Sequence, residues 1–530
     1  MTERDEDAGL DVSRRRLLAA AGLGAVVAGM VGETTPADAA PSSLAAIETP
    51  PVAGLHLQFG ADAASEIVIS WHSLQPIHRP RVLVGRMDGR LERAAEARTV
   101  SYTDAKSGQL VYAHHAKVGR LRANTAFLYA ALHEGAAPRF GTVRTAPRGR
   151  AAFTFTSFGD QGTPTLGRRV DVPAGAALPA GTPNPLFVND NLGSPAAAQT
   201  TLGVERVQPL FHLFNGDLCY ANLAHDRVAA WWDFWENNTR SASRRPWMPS
   251  PGNHENELGN GPIGYRAYQT FFSVPEAAGQ TETTRGLWYA FTAGSVRVVS
   301  IANDDVAYQD GGDSYVRGYS GGAQKAWLEA ELKAARADRA IDWIVVCMHQ
   351  VAISSALANG ADLGIRQEWT PLFDKYGVDL VVCGHEHHYE RSHPIRGGEA
   401  NATLTPIPVA TGADIIDTTK GTVHMVIGGG GTSKPTNEVF YNPPRCRVIV
   451  AAGPPDAHTG RRPSVYVVEP APWSAARNAA HAYGFAAFTV DPGTRAGGTT
   501  TIKVTYYDVV GVDGRLAAFE TFTLKRPRRD

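Results

Sequence analysis

Several apolar segments of this chain stop abruptly at a side chain that can bind a metal ion. The clearest of them, residues 381–383, is followed by Gly384 and then by His385, Glu386 and His387. A buried strand of this kind delivers the residues after it to the carboxyl edge of a sheet, where open α/β sheets bind ligands. Because imidazole is a common metal ligand, the segment predicts a metal site at that edge.

Four other apolar segments end in the same way. Each closes on Asp, Asn or His, often beside a glycine that lets the backbone turn sharply and approach an ion closely. One Gly-Asp alone would indicate an ordinary turn, but five such ends in one chain are hard to explain as turns. The candidate ligands at these ends are Asp160, Asp217, Tyr220, Asn253, His349, His385 and His387.

The number of candidate ligands indicates two metal ions. Seven ligands are too many for one tetrahedral zinc ion, but they suffice for two ions a few ångströms apart if one carboxylate bridges them. Carboxylate, amide and imidazole groups suit divalent ions, and a phenolate from Tyr220 would favour a harder, trivalent ion such as Fe(III). Such a pair would lower the pKa of bound water.

The chain is long enough for at least two domains, since it has 530 residues. Residues 50–146 contain short strands separated by turn residues, which predicts an all-β sandwich of the fibronectin type III kind. His114 and His115 alternate on one of these strands, and we interpret them as structural. The formal net charge is −1, so nothing indicates nucleic acid as a partner.

From residue 151 to residue 530 the pattern changes to strands alternating with helices. Helices are predicted over residues 226–238, 322–335 and 366–376. Two stretches rich in Pro and Gly, at about 163–200 and 432–480, interrupt the pattern and are interpreted as insertions. Long loops in compact domains are often functional, so the first is predicted to form part of a lid or substrate wall.

Residues 1–39 have the features of an export signal. A twin-arginine pattern at 13–18 precedes an apolar stretch at 17–31 and a small-residue cleavage site at 37–39. The apolar stretch is shorter than the roughly 20 residues that a spanning helix needs, so we expect no stable membrane span in the mature protein. An uncleaved anchor is the alternative. We therefore expect export by the twin-arginine route to a secreted, periplasmic or cell-envelope location.

Taken together, these motifs resemble the purple acid phosphatases of the calcineurin-like metallophosphoesterase superfamily. The resemblance lies in the segments 159–162, 216–220, 252–255 and 384–387 and in His349, whose order and rough spacing match across about residues 151–430. It implies an α+β fold, in which a four-layer α/β/β/α metallophosphoesterase sandwich follows a fibronectin III-like sandwich. It also implies hydrolysis of a small-molecule phosphate monoester through attack by a metal-bound hydroxide.

The resemblance assigns a role to each candidate residue. Fe(III) would be held by Asp160, Asp217, Tyr220 and His387, and a second ion, Fe(II), Zn(II) or Mn(II), by Asn253, His349 and His385, with Asp217 as the bridge. His254 would lie beside the phosphate and either protonate the leaving oxygen or stabilise developing charge. The alternative for His254 is an orienting role only. Glu255 is expected to orient His254.

One departure from the family concerns the loop after His349. Family members often carry further histidines there, whereas residues 350–365 contain none, and Gln350, Ser354, Ser355 and Asn359 are the polar alternatives. Two other functions stay open. The same scaffold could serve a phosphodiesterase or nucleotide pyrophosphatase, and a non-catalytic binding protein of the cell envelope is the second alternative. The sequence does not indicate the oligomeric state.

Overall fold

The computed structural model describes residues 49–165 and 192–530, together with two short strands within residues 166–191. The predicted export signal at residues 1–39 lies outside the described residues, and so does most of the predicted insertion at 163–200 with the lid expected there. Among the residues that are described, no helix is both long and apolar enough to cross a membrane.

The amino-terminal part of the described chain is an all-β sandwich, as the short strands and turn residues predict. Its seven strands are β1 (Ala53–Phe59), β2 (Ile67–Ser73), β3 (Arg81–Gly85), β4 (Leu91–Thr103), β5 (Leu110–Val118), β6 (Ala126–Leu132) and β7 (Arg139–Arg144). Neighbouring strands are antiparallel, in the order β1-β2-β5-β4-β3-β6-β7. The long β4 pairs with β3 through its first half and with β5 through its second half, so it joins the two sheets.

The second domain alternates strands and helices. Its strands are β8 (Phe153–Phe158), β9 (Arg168–Val170), β10 (Leu186–Val188), β11 (Phe211–Asn215), β12 (Trp247–Ser250), β13 (Tyr289–Ala293), β14 (Val296–Ser300), β15 (Trp343–Cys347), β16 (Ala361–Asp362), β17 (Leu380–Cys383), β18 (Tyr389–Ser392), β19 (Ile395–Gly398), β20 (Pro406–Pro408), β21 (Ile415–Asp417), β22 (Val423–Ile427), β23 (Arg445–Ala452), β24 (Ser464–Pro470), β25 (Ser474–Arg477), β26 (Gly484–Asp491), β27 (Thr499–Val510) and β28 (Arg515–Pro527). Its helices are α1 (Ala196–Val207), α2 (Arg227–Ala242), α3 (Arg266–Phe271), α4 (Ala323–Ala337), α5 (Leu363–Glu368) and α6 (Thr370–Tyr376), with 3-10 turns at Ala221–Leu223, Asn253–Glu255 and Asn303–Asp305.

Two seven-stranded sheets form the centre of this domain. Their strand orders are β12-β11-β8-β26-β27-β28-β21 and β13-β14-β15-β17-β22-β18-β25. The sheets contact each other through β11 with β15 and β22 with β26. Helix α1 packs on α2 and on strands β26 and β27 of the first sheet, whereas α4 packs on α6 and on β15 of the second. The layers are therefore α/β/β/α, which confirms the predicted α+β fold.

The strands that lead to the candidate ligands are parallel neighbours inside these sheets. Strands β8, β11 and β12 run parallel in the first sheet, and β14, β15, β17 and β22 run parallel in the second. Both faces of each sheet are covered, which explains why β11, β15 and β17 are buried along their whole length. The parallel arrangement sends the carboxyl ends of these strands to one edge of each sheet.

The helix predicted over residues 366–376 is in fact two short helices. Helix α5 ends at Glu368, and α6 begins at Thr370 after a junction at Trp369. Pro371 explains the interruption, because proline has no N–H to donate and restricts the residue before it. Gly377 ends α6 in the left-handed conformation, with a φ of 63°, as its position in the sequence suggests.

The stretch at 432–480 is more regular than its proline content suggests. It contains strands β23 and β24, which pair with β16 in a small sheet, and β25, which forms an edge of the second large sheet. Its prolines lie beside the strands or at a strand end: Pro443 and Pro444 precede β23, Pro454 and Pro455 follow it, and Pro470 is the last residue of β24. Proline is tolerated at these positions because no ladder hydrogen bond needs its nitrogen.

The sandwich and the second domain are joined by hydrogen bonds as well as by apolar packing. Helix α2 packs on β1. The Tyr129 hydroxyl donates to the carbonyl oxygen of Ser243 over 2.6 Å, and the ring nitrogen Nε2 of His115 lies 3.0 Å from the carbonyl oxygen of Thr270 in α3. One of the two sandwich histidines therefore contributes to the attachment of the domains.

Candidate metal centre

Seven side chains from five strand ends meet where the carboxyl edges of the two sheets come together. They are Asp160 after β8, Asp217 and Tyr220 after β11, Asn253 after β12, His349 after β15, and His385 and His387 after β17. None of the seven is more than 7% exposed. The side-chain amide of Asn215, the last residue of β11, donates to the carbonyl oxygen of Cys383 at the end of β17 over 3.1 Å, and this bond links the two edges.

Three of these side chains form a group around the Nε2 atom of His349. That nitrogen lies 3.1 Å from Oδ2 of Asp217, 3.0 Å from Oδ1 of Asn253 and 3.1 Å from Nδ1 of His385. The ligating atoms of Asp217, His349 and His385 all lie within 4.8 Å of one another, so the three residues can hold one metal ion. The Oδ1 atom of Asn253 adds a fourth ligand atom to the same space.

A second group forms around the hydroxyl oxygen of Tyr220. That oxygen lies 3.2 Å from Oδ1 of Asp160 and 3.2 Å from Nε2 of His387. The distance between the His387 nitrogen and the Asp160 oxygen is 3.5 Å. The structure thus separates the predicted ligands into two compact groups, and the division matches the one that the family resemblance implies, with Asp217 as the expected bridge.

The spacing within each group fits a shared metal ion. Two ligands bonded to one ion at about 2.1 Å, at angles of about 90–110°, lie roughly 3.0–3.4 Å apart. The distances of 3.0 to 3.5 Å within the two groups are close to this range. Imidazole nitrogen with carboxylate, amide and phenol oxygen is a donor set for borderline and hard cations. The residues present therefore fit a pair of metal ions.

The electrostatics of the first group also favour a cation. Burial alone lowers the pKa of His349, but the carboxylate of Asp217 more than offsets burial and raises the pKa of His349 to about 10. The cluster therefore holds a positive charge even in a buried position. A metal ion supplies such a charge without a proton, and binding then requires neutral histidine.

The second ring nitrogen of each histidine is engaged outside the two groups. Nδ1 of His349 lies 2.7 Å from the carbonyl oxygen of Asn215, and Nδ1 of His387 is bonded to the carbonyl oxygen of Lys434. In the neutral form that binds a metal, each ring donates its one proton to that carbonyl, so the lone pair of Nε2 faces the cluster. His385 has the opposite orientation, since its Nδ1 faces the cluster and its Nε2 is bonded elsewhere.

Backbone conformations that side chains rarely adopt are concentrated at this site. Asp160, Asp217, Tyr220 and His385 have φ values of 60°, 53°, 54° and 71°, which is the left-handed region. Such conformations persist only where the surrounding structure enforces them, and they cluster at functional sites. Gly384 has to be glycine for a different reason, because a Cβ atom there would lie 2.3 Å from Oδ2 of Asp160.

Glu255 has a different role from the expected one. Its two carboxylate oxygens accept hydrogen bonds from the backbone N–H groups of Asp217, Leu218 and Gly252, at 2.7 to 2.9 Å. Glu255 is almost fully buried, and its hydrogen bonds within the described chain are to the backbone and not to His254. It holds the loop that presents Asp217, and the expectation that it orients the His254 ring is wrong.

His254 lies at the open side of the cluster. Its backbone N–H donates to Oδ1 of Asp217 over 2.9 Å, its ring centroid is 4.5 Å from that of Tyr220, and its Nε2 is 3.9 Å from Oδ2 of Asp217. The ring is oriented by Asn222, whose Oδ1 lies 2.9 Å from Nδ1. The side chain keeps 17% of its surface exposed, so a ligand can reach it.

The sequence analysis missed Asn222 and also Gln309, whose side-chain oxygen lies 2.7 Å from Nε2 of His385. Asn222 follows a strand-end motif closely and could have been found as the next polar residue after Tyr220. Gln309 lies in a loop far from any strand-end motif, so no local signal indicates it. Of the polar alternatives in residues 350–365, Asn359 is the one bonded to His385: its side-chain amide donates to the backbone carbonyl oxygen of His385 over 2.9 Å.

Comparisons with known proteins agree with this geometry. The family description "calcineurin-like phosphoesterase" matches residues 186–389, and "purple acid phosphatase, N-terminal domain" matches residues 52–147. The chain belongs to the purple acid phosphatase family of calcineurin-like phosphoesterases. As a member of that family it is a phosphatase, and the family implies a dinuclear metal centre.

Individual relatives of this family member come from bacteria and plants. An uncharacterized protein of Mycobacterium tuberculosis is 58% identical over 480 residues, which are 90% of this chain and 88% of that protein. The phosphoenolpyruvate phosphatase of Allium cepa is 27% identical over 400 residues, covering 73% and 71% of the two chains. The solved purple acid phosphatase PPD1 of yellow lupin shares the fold, with a TM-score of 0.63 at 20% identity over 90% of this chain and 75% of the lupin chain.

Proposed function

We propose that this purple acid phosphatase hydrolyses phosphate monoesters at a dinuclear metal centre. The observation that carries the proposal is the pair of donor groups at ligand spacing, with the partly exposed His254 beside them. The relative from Allium cepa is named for phosphoenolpyruvate, which is a phosphate monoester. A phosphodiesterase or nucleotide pyrophosphatase remains the competing activity, because one dinuclear site can cleave either kind of ester.

The two groups are proposed to hold different metals. Asp160, Tyr220 and His387 would hold one ion, Asn253, His349 and His385 would hold the other, and Asp217 would contribute to both. Burial and the charges of Asp160 and Asp217 raise the pKa of the Tyr220 phenol well above its usual value. A phenolate oxygen is a hard anionic donor and a trivalent ion is the cation best suited to displace this proton, which supports Fe(III) in that group, with Fe(II), Zn(II) or Mn(II) in the other.

Two bound cations supply Lewis acidity: they neutralise charge on the phosphate and lower the pKa of water. The residues of the chain do the rest. Asn222 fixes the His254 ring through Nδ1, so that Nε2 faces the cluster and the solvent-exposed side. From there the protonated ring of His254 is placed to donate a proton from Nε2 to the leaving oxygen of a monoester, or to stabilise the charge that develops on it. Glu255 accepts hydrogen bonds from the backbone of the Asp217 loop and from Gly252, and so fixes that loop relative to the turn that carries His254.

The proposal is tested by metal analysis combined with an absorption spectrum and two substrates. We expect two metals per chain, one of them iron, with a visible band from the Tyr220 phenolate. Turnover of p-nitrophenyl phosphate should exceed that of its bis ester. Faster cleavage of the bis ester would favour the phosphodiesterase, and a metal-loaded protein that cleaves neither would support the non-catalytic binding protein instead.

We also propose that the phosphatase is exported by the twin-arginine route. The support is the pattern at residues 13–18 with the apolar stretch and cleavage site that follow it, all within residues 1–39. Replacing both Arg14 and Arg15 with lysine should leave activity in the cytoplasmic fraction of the producing cells. An unchanged distribution between the cell fractions would exclude this route.

A further inference from the structure

We propose that Gln309 is the positioning residue of His385: it fixes the ring proton on Nε2 and leaves Nδ1 free for the second metal ion. The inference rests on the proposed dinuclear centre and deepens it. It concerns a residue in a loop that no strand-end motif indicates. The neighbours of Gln309, Tyr308 and Asp310, anchor that loop on both sides.

The hydrogen bonding of the His385 ring decides its tautomer. Nε2 lies 2.7 Å from Oε1 of Gln309, and Nδ1 lies 3.1 Å from Nε2 of His349. An amide oxygen only accepts hydrogen bonds, and a neutral imidazole has a single N–H. The proton therefore has to lie on Nε2, because the other tautomer would bring two lone pairs together at 2.7 Å. In consequence the lone pair of Nδ1 points at the cluster, as a metal ligand requires.

The position of Gln309 is a property of the fold. Its backbone N–H donates to Oδ2 of Asp362 over 3.0 Å, and the N–H of Tyr308 donates to the same oxygen over 2.8 Å. The other oxygen of Asp362 caps helix α5 through the N–H of Gly364. Asp362 is completely buried. The loop is thus tied to the first turn of α5, and the Gln309 amide can be placed on His385 with little loss of side-chain freedom.

His385 differs from the other two candidate histidine ligands in the kind of partner that holds it. His349 and His387 are held by backbone carbonyl groups, of Asn215 and Lys434. His385 is held by a side chain, so this orienting bond can be removed by substitution without moving any backbone. Partners of this kind orient a ligand and raise its basicity, and their loss typically weakens metal binding about 10- to 100-fold.

The test compares metal retention in Gln309→Leu, Gln309→Glu and a matched control. The metal-loaded proteins are dialysed against a series of chelator concentrations, and the metals left per chain are counted. We expect Gln309→Leu to release one of its two metals at about 10- to 100-fold lower chelator concentration, while the other metal stays. Gln309→Glu keeps an acceptor oxygen and should retain both metals at least as well as the wild type.

The control is Gln367→Leu. Gln367 is an exposed glutamine whose Oε1 accepts from the hydroxyl of the neighbouring Tyr308 over 3.2 Å, and it does not contact His385. This variant should hold both metals as the wild type does. The melting temperatures of the metal-free proteins provide a second readout. They should be similar for Gln309→Leu and Gln367→Leu, because each variant loses one hydrogen bond between uncharged groups.

Three results would overturn the inference. The first is release of both metals from Gln309→Leu at the wild-type chelator concentration. The second is failure of Gln309→Glu to retain the metal that the leucine variant loses. The third is a metal-free Gln309→Leu that melts well below metal-free Gln367→Leu, which would attribute the loss of metal to a disturbed fold. If the wild-type protein binds fewer than two metals, the proposed dinuclear centre is wrong and this inference is wrong with it. The metal count of the wild type therefore distinguishes failure of the proposed centre from failure of this inference alone.

Discussion

The histidines of the sandwich and those of the metal centre lie in similar surroundings but have different neighbours. On β5, His114 is fully buried, and its two ring nitrogens lie 2.9 and 3.0 Å from the hydroxyl groups of Thr99 and Ser73. In the metal centre each histidine has one nitrogen on a carbonyl or amide oxygen and the other facing a further ligand. Burial alone does not distinguish these residues, whereas the identity of the partner atoms does.

The electrostatic consequences are opposite in the two regions. Burial lowers the pKa of His114 to about 4, so the ring stays neutral at physiological pH. Burial acts in the same direction on His349, but the carboxylate of Asp217 outweighs it and raises the pKa to about 10. A buried histidine beside buried carboxylates therefore indicates a site at which a cation is stabilised. A buried histidine between hydroxyl groups is a satisfied part of a core.

The largest expected effect comes from removing the charge that creates this difference. Asp217→Asn should release metal and reduce turnover by more than about 10³-fold, beyond the loss of a single oxyanion donor, because the proposed bridge serves both ions. The metal-free variant should be less stable than the metal-free wild type, by about 3–5 kcal/mol, because the buried charge of His349 loses its partner. Metal counts, turnover and melting temperature measure the three effects. Full metal occupancy in the variant would show that Asp217 is not a bridge.

His254 tests whether every histidine at the site binds metal. His254→Ala should lower turnover by about 10²- to 10⁴-fold, the usual contribution of a general acid, while both metals remain. The reason is geometric: its Nδ1 is bonded to Asn222, and its Nε2 is 3.9 Å from Asp217, farther than the ligand contacts. Metal analysis of the variant with steady-state kinetics checks this. Loss of a metal would instead make His254 a ligand.

The same contrast explains what could be predicted from the sequence. The strand-end motifs were informative because a buried parallel strand has to present its next residues at the edge of the sheet, so Phe153–Phe158 with Asp160 and Leu380–Cys383 with His385 are local signals. Glu255 was misread because its partners, the backbone N–H groups of a neighbouring loop, depend on the tertiary path. Gln309 was missed for the same reason, since its loop reaches His385 only in the folded chain.

Helix boundaries show the other limit of prediction from the sequence. The helix predicted from residue 226 does begin there, because the carboxylate of Asp226 accepts from the N–H of Ala229 and caps it. The interruption at Trp369 was not predicted, although Pro371 is visible in the sequence, because the apolar spacing across residues 366–376 favours one helix. Here the local breaker prevailed over the periodic pattern.

A smaller effect is expected in the sandwich, and it should be one of stability alone. His114→Leu removes two hydrogen bonds from a fully buried ring and leaves the Thr99 and Ser73 hydroxyl groups with fewer partners. The expected loss in the free energy of unfolding is about 1–3 kcal/mol, with turnover and metal content unchanged. The control is His78→Leu at an exposed position. Loss of metal from the His114 variant would contradict the separation of the two histidine groups.

The last effect, no larger than the one before it, is the pH dependence of that contribution. His114 has a pKa of about 4 in the folded chain and about 6.5 when unfolded, so between these values the unfolded chain binds one more proton than the folded chain. Its contribution to stability is therefore complete above pH 6.5 and is lost as the pH falls toward 4, at about 1.4 kcal/mol per pH unit. Because Ser73 donates its hydroxyl proton to Gln75, Nε2 of His114 donates to Ser73 and Nδ1 accepts from Thr99.

Glutamine can reproduce this pattern with a donor and an acceptor but has no proton to gain. His114→Gln should therefore lose less stability than the wild type between pH 6.5 and pH 4.5, by up to about 1.4 kcal/mol per unit. The free energy of unfolding is measured on the metal-free proteins across this pH range. Acid releases metal from the histidines of the metal centre in both proteins, and the use of metal-free protein removes that contribution. Parallel stability curves for the two proteins would mean that His114 is already protonated in the folded sandwich, and the contrast with His349 would then lose its electrostatic basis.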